Sequence, residues 1–118
     1  MAIAPALSPA VPAGDLLFLS GQLAFGADGA IVAPDDIAAQ TRQVLANIAS
    51  VLKGHGLGLS NVVKTTVWLT DTADFAAFNE AYAASFGSHR PARSTVRSDL
   101  MLPGARIEIE AIARRIQG

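Results

Sequence analysis

Residues 105–113, ARIEIEAIA, constrain the chain more than any other stretch. In an extended backbone Ile107, Ile109, Ala111 and Ala113 point one way, and Arg106, Glu108, Glu110 and Ile112 point the other. A strand written this way needs a sheet with one apolar face turned to a core and one face turned elsewhere. Its charged side reads in two ways, as a solvated face or as one that places a carboxylate in a pocket.

The remaining segments supply the partners such a sheet needs. Residues 15–25, DLLFLSGQLAF, read as a strand, and residues 61–70, NVVKTTVWLT, as another, dense in β-branched positions. A third runs over about residues 93–98. Residues 1–14 are rich in Pro and Ala and read as extended. Residues 26–30, GADGA, carry an Asp-Gly turn signal. Pro34, Asp35 and Asp36 open a helix with carboxylates at the positive end of its dipole. Ile37, Thr41, Val44, Leu45, Ile48, Val51 and Leu52 follow at helical spacing, and Lys53, Gly54 and Gly56 end the run. Asp71 or Thr72 can cap a second helix. Its Phe75, Phe78, Tyr82 and Phe86 form one aromatic face, read as core like Trp68, and Gly87 ends it. The order β, β, α, β, α, β, β is α+β, a sheet with both helices on one face. The second sheet face is left to be covered.

Composition says what covers it. The 118 residues suit one domain. Hydrophobic residues are 51% and charged ones 16%, with a mean hydropathy of +0.36. That surplus implies a second copy of the same chain, and hence a homo-oligomer. No apolar run approaches the ~18 residues of a membrane span. The first residues lack a basic region and are broken by Pro5, Pro9 and Pro12, so no signal peptide and no membrane partner are expected. With no cysteine, disulfides, thiolate metal sites and a Cys nucleophile are excluded, and a cytoplasmic location is the default expectation. Net charge is −1. Arg90, Arg93, Arg97, Arg106, Arg114 and Arg115 cluster late but share their segment with Asp99, Glu108 and Glu110, which is no basic stripe for nucleic acid.

Few residues are left to carry chemistry. Ser20, in LSGQ, lacks a nucleophile elbow, and His55 and His89, its only candidate bases, sit in Gly- or Pro-flanked loops. Those two histidines make no metal spacing, and neither a phosphate-binding loop nor a dinucleotide fingerprint occurs. No metal and no cofactor are expected. Arg93, in RPARSTV (residues 90–96), stands at the mouth of an apolar strand. It is either a structural ion-pair partner or the grip for a small carboxylate.

The stretches GDLLFLSGQ, DIAAQTRQVLANI, VVKTTVWLTD, DFAAFNEAYAASFG, RPARSTV and RIEIEAIA resemble, in order, those of the RidA (YjgF) family. The resemblance spans about residues 15–113. It implies a chorismate-mutase-like protomer in a homotrimer whose sheets form a central β-barrel, with helices outside and sites between subunits. It also implies a deaminase, a hydrolase of C=N bonds acting on reactive 2-enamine and 2-imino acids such as 2-aminoacrylate and 2-iminopropanoate. The products are 2-keto acids and ammonia. The family's carboxylate-binding arginine falls on Arg93, its pocket glutamate on Glu108, and its pocket serine and glycine on Ser20 and Gly21. Its helix asparagine falls on Asn79. Thr95 stands where cysteine is frequent, and Leu7 where a tyrosine is usual. By this reading Arg93, Glu108 and Thr95 serve catalysis, and Arg93, Ser20, Gly21 and Asn79 bind substrate. The alternatives are a non-catalytic regulatory trimer that binds small keto or imino acids, another hydrolytic activity, and the RNA cleavage attributed to some relatives. The charge balance opposes the last.

Overall fold

Residues 5–115 are described in a computed structural model. The extended reading of residues 1–14 is therefore tested from Pro5 onward, and residues 1–4 lie outside the described part. Strand β1, Ala10–Ala13, precedes β2, Leu16–Gln22. Helix α1 is Ile37–Lys53, β3 is Val62–Leu69, and α2 is Phe75–Phe86. Strands β4, Ala92–Arg97, and β5, Ile107–Arg114, complete the chain. The expected order of elements holds.

The boundaries follow local chemistry. Asp36 caps α1 by accepting from the Ala39 N–H, which satisfies one of the free donors of the first turn. Asp71 caps a short 3-10 turn, Thr72–Asp74, that leads into α2. Gly87, at φ +66°, ends α2 in a conformation that other residues avoid.

The five strands lie in the order β1-β2-β5-β3-β4. The β3–β4 pair is parallel and every other pair antiparallel, so the sheet is mixed. Strand β5 lies between β2 and β3 and runs opposite to both. β2 and β3 are thus parallel to each other, with α1 as their connection and α2 linking the parallel pair β3–β4. One face of the sheet carries both helices. Leu17, Leu19, Val67, Leu69, Ile107, Ile109, Ala111 and Ala113 meet Val44, Leu45, Ile48 and Leu52 of α1 and Phe78, Tyr82 and Phe86 of α2 in a single core.

Two irregularities set which side chains face where. The β3–β5 register shifts at Val63, between the pairs Val62↔Ala113 and Lys64↔Ile112. From there Thr65, Val67 and Leu69 face the helices, and Lys64, Thr66 and Trp68 face away. The β2–β5 register shifts between Leu19 and Gln22, across Ser20 and Gly21. Such bulges re-aim side chains next to functional sites. The face away from the helices is partly apolar. It exposes Phe18 by 42% and Val96 by 46%, with Trp68 and Ile112 half-buried beside them.

Candidate functional site

Arg93 pairs in register with Thr65 and so projects toward the helices. It meets the aromatic stripe of α2. Its guanidinium carbon lies 4.9 Å from the Tyr82 ring centroid, 5.1 Å from Phe78 and 5.8 Å from Phe75. Stacking of this kind holds a cation by the ring quadrupoles and leaves the in-plane N–H donors free. Arg93 has no hydrogen-bond or ion-pair partner among the described residues; the one ion pair formed there is Arg106–Asp74, at 3.2 Å. Among the described residues no ion pair accounts for Arg93.

The seat itself is held from beneath. The Tyr82 hydroxyl and the buried Thr65 hydroxyl share a hydrogen bond of 2.7 Å. Burial raises the Tyr82 phenol above its ordinary value, and the Thr65 hydrogen bond, Arg93 and Arg90 act to lower it. A cavity of ≈470 Å³ opens beside the guanidinium, lined by Asn79, Tyr82, Ala83, Arg90, Pro91 and Arg93. Asn79 therefore shares this cavity with Arg93. Thr95 faces a separate recess, with Leu69, Thr72, Phe75, Val96 and Arg97.

Glu108 pairs with Trp68 and stands on the opposite face of the sheet from Arg93. Gly21 lies against it. A Cβ built on Gly21 would stand 2.1 Å from Glu108 Oε2 and 3.0 Å from its Cδ, so glycine is what lets the carboxylate lie on the bulged backbone of β2. Burial, and next the charge of Glu110, raise the Glu108 carboxyl above its ordinary value of 4.5. Ser20 lines a cavity on this same face with Val11, Phe18 and Glu110. Its Oγ donates to the Ser8 carbonyl at 2.6 Å, so the hydroxyl ties down the chain before β1. Leu7 is exposed.

The six candidate residues thus form two groups within one protomer. Arg93 and Asn79 share a cavity on the helix side, with Thr95 next to them on β4. Ser20, Gly21 and Glu108 gather on the other face. The aromatic seat was not anticipated: its spacing reads as core, and Phe78, Tyr82 and Phe86 are indeed buried, but Phe75 is 45% exposed and all of Phe75, Phe78 and Tyr82 face the guanidinium. Arg90 and Tyr82 were also missed as cavity residues. Arg90 next to Pro91 was visible in the sequence, but nothing there places it over α2. Among the described residues no group of three or more His, Asp or Glu side chains could hold a metal ion. Nor is any helix there long and apolar enough to cross a membrane.

A mixed sheet backed by two helices, with an arginine seated on aromatic rings beside an open cavity and without an ion-pair partner among the described residues, defines a small α+β domain. The profile of the family described as Endoribonuclease L-PSP matches residues 1–115. The chain belongs to this family, the RidA (YjgF) family. A RutC family protein of Pyrococcus horikoshii is 44% identical over 90% of this chain and 84% of its own length. A rat protein named 2-iminobutanoate/2-iminopropanoate deaminase is 39% identical over 96% of this chain and 81% of its own. Among solved structures, that of E. coli TdcF with bound serine superposes with a TM-score of 0.87 at 36% identity, covering 98% of this chain and 91% of TdcF.

Proposed function

We propose that the protein is a deaminase that hydrolyses reactive 2-imino acids and their 2-enamine tautomers, of the 2-iminopropanoate and 2-aminoacrylate type. The observation that carries this reading is Arg93, stacked on three rings, free of any protein acid among the described residues, and open to a cavity. A guanidinium so placed offers two parallel donors to a carboxylate. The rat relative's name and the serine bound to TdcF, an amino acid with one carboxylate, support the same ligand chemistry.

The proposed reaction needs little beyond orientation. A protonated imine is already electrophilic. Water adds to its C2, and the C–O bond forms as the C=N π electrons move onto nitrogen. One proton passes from the added oxygen to that nitrogen, the C–N bond breaks as the C=O π bond forms, and the oxygen's second proton passes to the departing ammonia, leaving a keto acid and ammonium. Arg93 fixes the carboxylate, and so C2, relative to the water. Glu108 orients the water and carries the proton, a role suited to a carboxyl whose pKa burial raises above its ordinary value. Asn79 borders the bound acid, Gly21 gives Glu108 its space, and the Thr95 backbone steadies the water. No metal or organic cofactor enters the reaction as written.

Arg93 and Glu108 lie on opposite faces of one sheet and cannot meet within one chain. The proposed site is therefore shared. Arg93 and Asn79 of one copy face Ser20, Gly21 and Glu108 of the next, in a homotrimer whose partly apolar sheet faces turn inward as a barrel.

The test is an amino-acid oxidase that releases 2-iminopropanoate in the presence of semicarbazide, which traps imine that escapes hydrolysis. Wild-type protein is expected to suppress semicarbazone formation. Arg93→Ala is expected to lose this effect while keeping its circular dichroism and assembled mass. Undiminished turnover by Arg93→Ala would remove the basis of the proposal. A non-catalytic regulatory trimer using the same pocket would bind keto acid and leave semicarbazone formation unchanged in the wild type.

A further inference from the structure

The cavity that exposes Arg93 holds a second arginine. Arg90 lines it together with Asn79, Tyr82, Ala83 and Pro91, and no Asp or Glu does. Arg90 Nη1 donates to the carbonyls of Gly87 and His89, which anchors its guanidinium at the C-terminal end of α2, where a cation is favoured. Its other guanidinium nitrogens have no hydrogen-bond partner among the described residues. Neither arginine forms an ion pair there. Tyr82, over whose ring the Arg93 guanidinium lies, lines the cavity with both arginines.

Two anchored cations around one recess are more than a single carboxylate needs. One carboxylate saturates one guanidinium fork. The second cation is left to repel the first across a cavity that carries no opposite charge. Pro91 stands between them in sequence and restricts the backbone that relates them. Ala83, small and half-buried, leaves room in the cavity wall for a short methylene chain.

We propose that the site prefers 2-imino acids bearing a second carboxylate, the imines of acidic amino acids, with Arg93 gripping the carboxylate beside the imine carbon and Arg90 the distal one. This rests on the deaminase reading and narrows its substrate class. The chemistry at C2 is unchanged, since the distal carboxylate takes no part in bond making. Asn79 lines the same cavity and offers its amide to the substrate there.

The experiment compares two imines made in place. An L-aspartate oxidase supplies 2-iminosuccinate, and a D-amino-acid oxidase acting on alanine supplies 2-iminopropanoate, each with semicarbazide as trap. The quantity read is the ratio of kcat/KM for the dicarboxylic imine to that for the monocarboxylic one. Wild-type protein is expected to favour 2-iminosuccinate by about fivefold or more, the scale of one partly exposed ion pair. Arg90→Gln is expected to bring the ratio to near one, and Arg90→Lys to restore part of it. Circular dichroism and assembled mass show that each variant is folded. A wild-type ratio near one, or a ratio that Arg90→Gln does not move, overturns the dicarboxylate preference and leaves the deaminase reading in place. Absence of turnover with both imines overturns the two together.

Discussion

Glu108 stands with its carboxylate against Gly21 and with Glu110 two positions along the same strand face, and this placement sets its effect on stability. Folding raises its pKa, so the fold favours the protonated form. The stability this contributes is full below the ordinary value of 4.5 and is lost as pH rises through the raised value. At neutral pH the charged carboxylate weighs against the fold, as functional groups often do. Glu108→Gln is therefore expected to melt above wild type at about pH 7, with the difference closing below pH 4.5, while its imine turnover falls. Thermal melts at several pH values check the first half, and equal melting throughout would contradict it. Gly21 gives a second residue-scale outcome. Gly21→Ala forces the Glu108 carboxylate aside while leaving the bulged backbone in place, so turnover drops about tenfold or more with the fold kept. Circular dichroism beside the semicarbazide assay separates the two effects. At this scale the sequence singled out Arg93 and Glu108 as candidates but not what holds them. Rings spaced three and four apart announce a buried stripe, whichever end of it a distant arginine comes to rest on.

Helix α1 closes the molecule through a residue that its apolar spacing conceals. Gln40 is fully buried within the stripe of Ile37, Thr41 and Val44. Its Nε2 donates to the carbonyls of Val32, Ala33 and Gly104 at 3.0, 3.2 and 2.8 Å, and its Oε1 accepts from the Arg106 N–H at 2.8 Å. One side chain thus joins α1 to the loop before it and to the loop that leads into β5. Gln40→Leu keeps the volume but strands those backbone groups away from water, and a loss of about 3 kcal/mol is expected. Urea unfolding measures it; a loss under about 1 kcal/mol would mean that the loops find other partners. Helices and strands themselves were legible, because Asp36, Asp71 and Gly87 mark their ends by local chemistry. The Gln40 clamp was not, because a polar residue at helical spacing looks the same whether it meets solvent or converging carbonyls. The bulge at Val63 was equally hidden: a run of β-branched residues gives no sign of where a ladder slips.

The separation of Arg93 from Glu108 emerges only at the scale of the molecule. Each strand's alternation could be read alone, but relating the two residues requires the pairings Thr65↔Arg93 and Trp68↔Glu108, which depend on the slip at Val63 and on β5 lying between β2 and β3. In the proposed site that register divides Arg93 and Glu108 between two chains, and two inactive variants should rescue each other. Arg93→Ala retains Glu108, and Glu108→Gln retains Arg93. Mixed and reassembled together, they form sites in which a copy with intact Arg93 faces a neighbour with intact Glu108. If equal amounts assort at random into closed rings, roughly a quarter of the sites regain both groups. Neither variant alone, nor the two mixed without exchange of subunits, gains anything. The semicarbazide assay, run before and after subunits are exchanged in mild denaturant, reads the difference directly. Recovery near a quarter of wild-type turnover places the reaction between copies. No recovery, with exchange verified by mass, would overturn the shared site.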